Sequence, residues 1–350
     1  MKIAIVGAGV MGSLMAFELS QSHHTVVMYD DGRKANCSMA AAGLLSPTVE
    51  LEKHDLLIYE LGKRAFDEYL PNIIAKLNSS IYFRRNGSLV LSHPRDDAEL
   101  QQFFQRIQCK IDVKNIAKFI SSHDINMIEP ELNKFNHGIY FSSEGQIDNQ
   151  FFLQEIANYL REKITWHDAT FIDEFKQNFD LVIDCRGLFA KDFLHNLRGV
   201  RGEIIWLYAP QVNINHPIRI LHPRYSLYVV PRQNQIYLIG ASEIESEDNS
   251  EISVRTTLEL LTAAYSLHPG FAEARIIKTA TQLRPAFSDH LPKIIYEDGF
   301  IAINGLYRHG FLIAPTLANE VNRWIKNGIN AVEFPEIWEV PYDKNCFQSA

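Results

Sequence analysis

Lys2-Ile-Ala-Ile-Val6-Gly7-Ala-Gly9-Val-Met-Gly12, at the start of the chain, decides how the rest is read. The unbroken apolar run is the pattern of a strand buried on both faces, as in a parallel sheet. A GxGxxG turn follows at once, and residues 13–20 carry the apolar spacing of a helix. Thr25-Val-Val-Met-Tyr29 reads as a second strand and ends at Asp30 and Asp31. Strand, glycine turn, helix, strand and acid is the context a dinucleotide fingerprint requires. Gly7, Ala8, Gly9, Val10, Met11 and Gly12 are expected to seat a pyrophosphate at the helix N-terminus, where backbone N–H groups point outward. Asp30, with Asp31 beside it, is expected to accept from a ribose hydroxyl, which favours FAD or NAD over NADP.

Outward from that unit, Asn36-Cys-Ser38-Met-Ala-Ala-Ala-Gly43-Leu-Leu is crowded with small residues. Such a run suits backbone pressed against a flat group, or close helix packing; the residues alone favour packing. Helical patterns follow at 55–75 and 96–107, with strands near 81–83 and 88–91. Glu129-Pro-Glu131 breaks the pattern, and residues 138–141 and 146–148 read as extended. A helix at 151–162 leads back to Asp180-Leu-Val-Ile-Asp184-Cys-Arg-Gly187, a late parallel strand ending in glycine. Alternation at 203–207, 226–230 and 235–239 predicts antiparallel strands, and 255–265 predicts a helix. Residues 281–285 then open a crossing back to the first half. Phe300-Ile-Ala-Ile303 precedes a glycine-bounded turn from Gly305 to Pro315 that contains Arg308, with a helix expected over 317–326. The expected class is α/β with an α+β second domain: a Rossmann-like nucleotide domain carrying an inserted antiparallel-sheet domain.

Length and composition agree with this outline. A chain of 350 residues suits two packed domains. Its net charge of −8 gives nucleic-acid binding no electrostatic support. No segment approaches the roughly 20 apolar residues of a membrane span. Cys37, Cys109, Cys185 and Cys346 lack metal-like spacing and fit a reduced, cytoplasmic chain, and no metal is expected. A homo-oligomer is compatible with this composition but not specified by it. The tail over 340–350 carries no readable chemistry.

Several phrases together resemble one family. They are Gly7–Gly12, the small-residue run through Leu44, Leu283-Arg284-Pro285 with Asp289 and Pro292, and Tyr307-Arg308-His-Gly-Phe-Leu-Ile-Ala-Pro315. This set resembles the D-amino-acid-oxidase superfamily of FAD enzymes, and within it the glycine oxidases of thiamine biosynthesis. Asp184-Cys-Arg-Gly187, Arg198-Gly-Val-Arg-Gly-Glu203, Leu221-His-Pro-Arg-Tyr225, Tyr228-Val-Val-Pro-Arg232 and Gly240-Ala-Ser-Glu-Ile-Glu-Ser-Glu-Asp248 are similar to their proteobacterial branch. The resemblance implies non-covalent FAD bound by residues 1–80, 145–195 and 284–335. It assigns substrate binding to 81–144 and 196–283. Carried over by position, Arg284 and Tyr228 would hold a substrate carboxylate with Arg308 beside them. Cys37, Ser38, Gly43, Leu44, Cys185 and Gly187 would line the flavin. The turn of Arg308, His309, Gly310, Phe311 and Leu312 would face its ring system, and Arg186 would touch flavin or phosphates.

The activity so implied is oxidation of glycine, and of sarcosine or small D-amino acids, to the imine. A hydride passes from Cα to the flavin, and dioxygen is reduced to hydrogen peroxide. Glu243 departs from the apolar residue that glycine oxidases carry at this position. The acidic stretch 243–248 reads first as a solvated turn; facing the pocket, Glu243 would instead favour an ammonium group. Four rivals share the motifs: a D-amino-acid dehydrogenase passing electrons to a quinone, an oxidase of N-methyl amino acids such as sarcosine, an NAD-dependent dehydrogenase, and a nucleotide-binding protein without turnover.

Overall fold

A computed structural model describes residues 1–32, 36–77, 80–170, 173–222 and 225–339. Pro223 and Arg224 of one quoted phrase, Cys346 and the tail over 340–350 lie outside the described residues.

The opening apolar run forms the strand Lys2–Val6 in the interior of a seven-stranded sheet. It pairs in parallel with Thr25–Tyr29 on one side (Ile3 opposite Val26) and with Leu181–Asp184 on the other (Ile3 opposite Leu181). The late strand therefore inserts beside the first, and Phe300–Asn304 continues the sheet in parallel beyond it. Ile3, Ala4 and Ile5 are wholly buried: Ile3 and Ile5 pack into the main core, and Ala4 packs with Val6 and Val182 on the opposite face. The helices Val10–Ser20, Asn149–Lys163 and Gly310–Asn327 supply Leu14, Phe152, Ile156 and Ile313 to the main core.

The second sheet has eight strands. Arg275–Ala286 forms one edge, and Arg198–Tyr208, Ile236–Gly240 and Tyr225–Pro231 follow inward. The pairings are antiparallel except where Ile218–His222 runs parallel to Ser88–Ser92, so the expectation of antiparallel order holds for all but one pair.

Residues 281–285 finish the 12-residue strand Arg275–Ala286, with Arg284 opposite Val200 and Pro285 opposite Gly199, before the chain returns to the first sheet at Lys293–Glu297. An edge strand tolerates Pro285 because one side needs no donor. One expectation needs correction. The C-terminal helix begins at Gly310, not 317, and Pro315 lies inside it at the loss of one intrahelical bond. The turn is thus confined to residues 305–309. Among the described residues, no helix is long and apolar enough to cross a membrane.

Candidate active site

A cleft of about 1470 Å³ runs between the two large sheets. One end is built by the glycine turn. Gly7 adopts φ +95°, and a Cβ on Gly12 would fall 1.8 Å from the Gly7 carbonyl oxygen. Both glycines are therefore required by the tight turn that brings the helix start against the strand end. Gly9 caps that helix without a side-chain bond. Gly9, Val10 and Met11 at its start line the cleft, and Ser38 Oγ accepts from Val10 N at 3.0 Å. Asp30 Oδ1 accepts from Ala8 N at 3.0 Å and Oδ2 from Gly32 N at 3.3 Å. The acid is held at the cleft's edge, as ribose binding would require.

Gly7, Ala8, Gly9, Val10, Met11, Asp30, Asp31, Cys37, Ser38, Gly43, Leu44, Cys185, Gly187 and residues 308–312 all line this one cavity. Gly12 does not; it serves the helix–strand contact. Gly43 sits at φ +61°, where a Cβ would meet Ile147 O at 2.0 Å, so the small-residue run is compressed between walls. Arg232 donates to the carbonyls of Ala42 and Ile147 and clamps that segment from behind. Burial pushes both the Cys37 and the Cys185 thiols up, so both stay protonated. Arg186 reaches the cleft, but Asp184 and Asp192 occupy its guanidinium, at 2.7 and 3.0 Å.

The other end of the cleft belongs to the antiparallel sheet. Arg284 rises from the edge strand and lies over Gly202 of its neighbour, where a Cβ would come within 2.4 Å of the guanidinium carbon. Tyr228 lies in the same way over Gly240, where a Cβ would meet its ring and hydroxyl at 2.7 Å. Two glycines thus hollow the sheet so that both polar side chains can lie flat along it. Arg284 Nη1 donates to Ser242 O at 3.1 Å and Arg201 O at 3.4 Å, and these are its only hydrogen bonds among the described residues. The Tyr228 hydroxyl makes none among them. A guanidinium with most of its donors free, beside a free phenol, matches a carboxylate.

Arg308 is placed differently. It extends from the residue 305–309 turn, where Tyr307 takes φ +50°, a strained value for a tyrosine. Its Nε and Nη2 donate to Glu50 Oε2 at 2.9 and 2.5 Å, and Nη1 donates to Glu243 Oε2 at 2.9 Å. Glu50 Oε1 also accepts from Arg219 at 2.9 Å. Glu243 faces the cleft rather than solvent alone, and its Oε1 accepts from the Tyr307 hydroxyl at 2.6 Å. Burial alone would raise the Glu50 carboxyl, but Arg308 and Arg219 outweigh it and hold it well below the ordinary range. The same contest leaves Glu243 lowered, chiefly through Arg308. Burial and the Glu243 contact push the Tyr307 phenol up, so it donates and stays neutral.

His309 and His54 pack edge to face against this cluster, 4.5 Å between ring centres. Burial, reinforced by Arg308, brings His54 down to about 4, and burial takes His309 well below its ordinary value. The Nε2 atoms of both are buried and make no hydrogen bond among the described residues, with His54 Nε2 3.7 Å from Glu50 Oε2. Glu50, His54 and His309 could approach one cation. Arg308 and Arg219 already supply Glu50 with positive charge, so the group is an ion-pair cluster rather than a metal cage.

Sequence reading missed Glu50, Arg219, His54, Gly202 and Gly240. Glu50 follows no motif, and its partners lie 258 and 169 positions away. Gly202 and Gly240 stood within quoted phrases, where a glycine interrupting an apolar strand is a signal of close approach.

Comparison with known proteins agrees with this geometry. The family model DAO, described as FAD dependent oxidoreductase, matches residues 2–324. The protein named as thiamine biosynthesis oxidoreductase ThiO of Rhizobium etli is 35% identical over 329 residues, covering 92% of this chain and 96% of that protein. Glycine oxidase of Geobacillus kaustophilus is 23% identical, covering 89% of each chain. Its crystal structure superposes with a TM-score of 0.82 at 20% identity, covering 96% of this chain and 97% of that one. Iminodiacetate oxidase from Chelativorans sp. BNC1 gives 0.83 at 21% identity, covering 97% and 99%.

Proposed function

We infer that this chain, which belongs to the DAO family of FAD-dependent oxidoreductases, catalyses the oxidative deamination of glycine to its imine, with dioxygen reduced to hydrogen peroxide. In this reading it supplies thiazole synthesis in thiamine biosynthesis, in the cytoplasm. Residues 1–80, 145–195 and 284–335 hold FAD, and 81–144 and 196–283 cover the substrate. The observation that carries the reading is Arg284 lying over Gly202 beside Tyr228, at the far end of a cleft that begins in the dinucleotide cradle.

The residues present fit FAD. Gly7 and Gly9 line the cleft without side chains where a pyrophosphate would sit, and Asp30 is held at its edge for a ribose. The buried, unpartnered His309 Nε2 lies in the wall that a ring system would face. When bound, FAD supplies the two-electron acceptor for the substrate's Cα–H bond.

The protein's part is positioning. Arg284 takes the carboxylate through its free donors, and Tyr228 donates its hydroxyl to the same group, which fixes where Cα lies. The amine must lose its proton before Cα–H cleavage, so turnover rises towards alkaline pH. Tyr307, Arg308 and Glu243 close the pocket on the amine side and limit its size.

Anaerobic addition of glycine to the purified holoenzyme is expected to bleach the flavin absorbance, and the same addition under air to release peroxide. Bleaching without peroxide would instead indicate a dehydrogenase. Glycine is expected to outrun sarcosine and D-alanine; no bleaching by any of the three overturns the reading.

A further inference from the structure

We propose that Glu243 confines this site to substrates with a single carboxylate, because its side chain occupies the place on Arg308 that a second carboxylate would take. The proposal rests on the oxidase reading and names the substrate class that the same pocket refuses.

Arg308 has two carboxylate neighbours of different character. Glu50 is buried, with 7% of its surface exposed, and is shared between Arg308 and Arg219. One buried carboxylate between two guanidiniums leaves one positive charge uncompensated. Glu243 supplies the missing charge from the cleft side. Its side chain is 43% exposed and comes from the segment that follows the strand Ile236–Gly240. Glu50 is therefore the internal counter-ion of the fold, and Glu243 the exchangeable one.

The contacts of Glu243 are those a ligand carboxylate would make. One oxygen accepts from Arg308 Nη1 at 2.9 Å and the other from the Tyr307 hydroxyl at 2.6 Å. Arg284, in the same cleft, retains free donors for a first carboxylate. Without Glu243 the pocket would present two carboxylate clamps. With it, the second carboxylate of an N-carboxymethyl amine or of an acidic amino acid meets a like charge and finds the guanidinium occupied. This is selection by repulsion as much as by attraction. Glycine, whose single carboxylate goes to Arg284, has no second carboxylate to place on Arg308 and does not compete with Glu243 for it.

The test compares the holoenzyme with Glu243→Gln and Glu243→Ser. Turnover of glycine, iminodiacetate and D-aspartate is measured, together with perturbation of the flavin spectrum by acetate and malonate. Removing the charge is expected to raise kcat/KM for at least one dicarboxylate relative to glycine by roughly tenfold or more, and to tighten malonate by a similar factor. Acetate is expected to move by less than about twofold. The gain is expected to vanish in Glu243→Gln/Arg308→Gln. Unchanged ratios and unchanged malonate affinity in both single variants would overturn the proposal. The acetate and malonate titrations need no turnover, so they report on it even if glycine proves not to be the substrate. Failure of the glycine assignment shows separately, in the unmodified protein.

Discussion

Replacing Arg284 with methionine tests the carboxylate clamp most directly. Among the described residues only Nη1 of this guanidinium is engaged, by Ser242 O at 3.1 Å and Arg201 O at 3.4 Å. Nη2 and Nε are left for a ligand. Two charge-assisted bonds to a carboxylate contribute about 1.5–3 kcal/mol each, so their loss costs about 3–6 kcal/mol. That is about 10²–10⁴-fold in kcat/KM for glycine. The figure is large for so small a ligand: at about −1.5 kcal/mol per heavy atom, glycine's whole binding energy has a ceiling near −7.5 kcal/mol. Most of the loss is expected in KM, because the clamp grips ground state and transition state alike, with a smaller fall in kcat from a misplaced Cα. Arg284→Lys keeps a point charge without the planar fork and is expected to recover about tenfold of the loss. The assay is peroxide release over a glycine series, with flavin content measured on each variant. An Arg284→Met enzyme that keeps its flavin and retains kcat/KM within about fivefold of the parent would refute the clamp.

The other predictions concern the same walls. Gly202→Ala puts a methyl within 2.4 Å of the Arg284 guanidinium and must displace it; KM for glycine is expected to rise by about 10–100-fold. The far-UV melting curve should barely move, and an unchanged KM would show that this recess does not set Arg284. Glu243→Met removes a carboxylate that favours the substrate ammonium and unmasks Arg308, which disfavours it. The apparent pKa in kcat/KM against pH should therefore fall, by about 0.5–1 pH unit, and an identical profile would dissociate Glu243 from the amine. Glu144, buried behind the segment that carries Glu50, accepts from Val49 N at 2.8 Å and from the Ser88 hydroxyl, yet burial pushes its carboxyl up to about 7 from 4.5. A raised folded pKa means that stability is full below the ordinary value and declines as pH rises through about 7. Glu144→Gln should therefore be more stable than the parent at pH 8, by an increment on the order of 3 kcal/mol, and show almost no gain at a pH below the ordinary value of 4.5. Parallel melting curves at both pH values would count against it.

Recognition of the family and its cofactor needed only the sequence, and the reason is locality. Lys2–Val6, the glycine turn and Asp30 are neighbours along the chain, and each does its work through backbone shape or strand periodicity that can be read in place. Leu181–Asp184 was legible for the same reason, since a strand covered on both faces is apolar whatever it pairs with. Arg284 and Tyr228 were reached through a resemblance; nothing in their local pattern separates them from surface residues. The tertiary structure alone decided what state each cation is in. Arg284 and Arg308 are one residue type in equally marked motifs, yet one keeps its donors and the other is neutralised by Glu50 and Glu243. Those carboxylates reach it from 258 and 65 positions away, after two sheets have closed on one another. Short-range periodicity carries no record of charges that distant, so the sequence determined that a flavin cleft exists, and packing determined which guanidinium in it is free to hold a substrate.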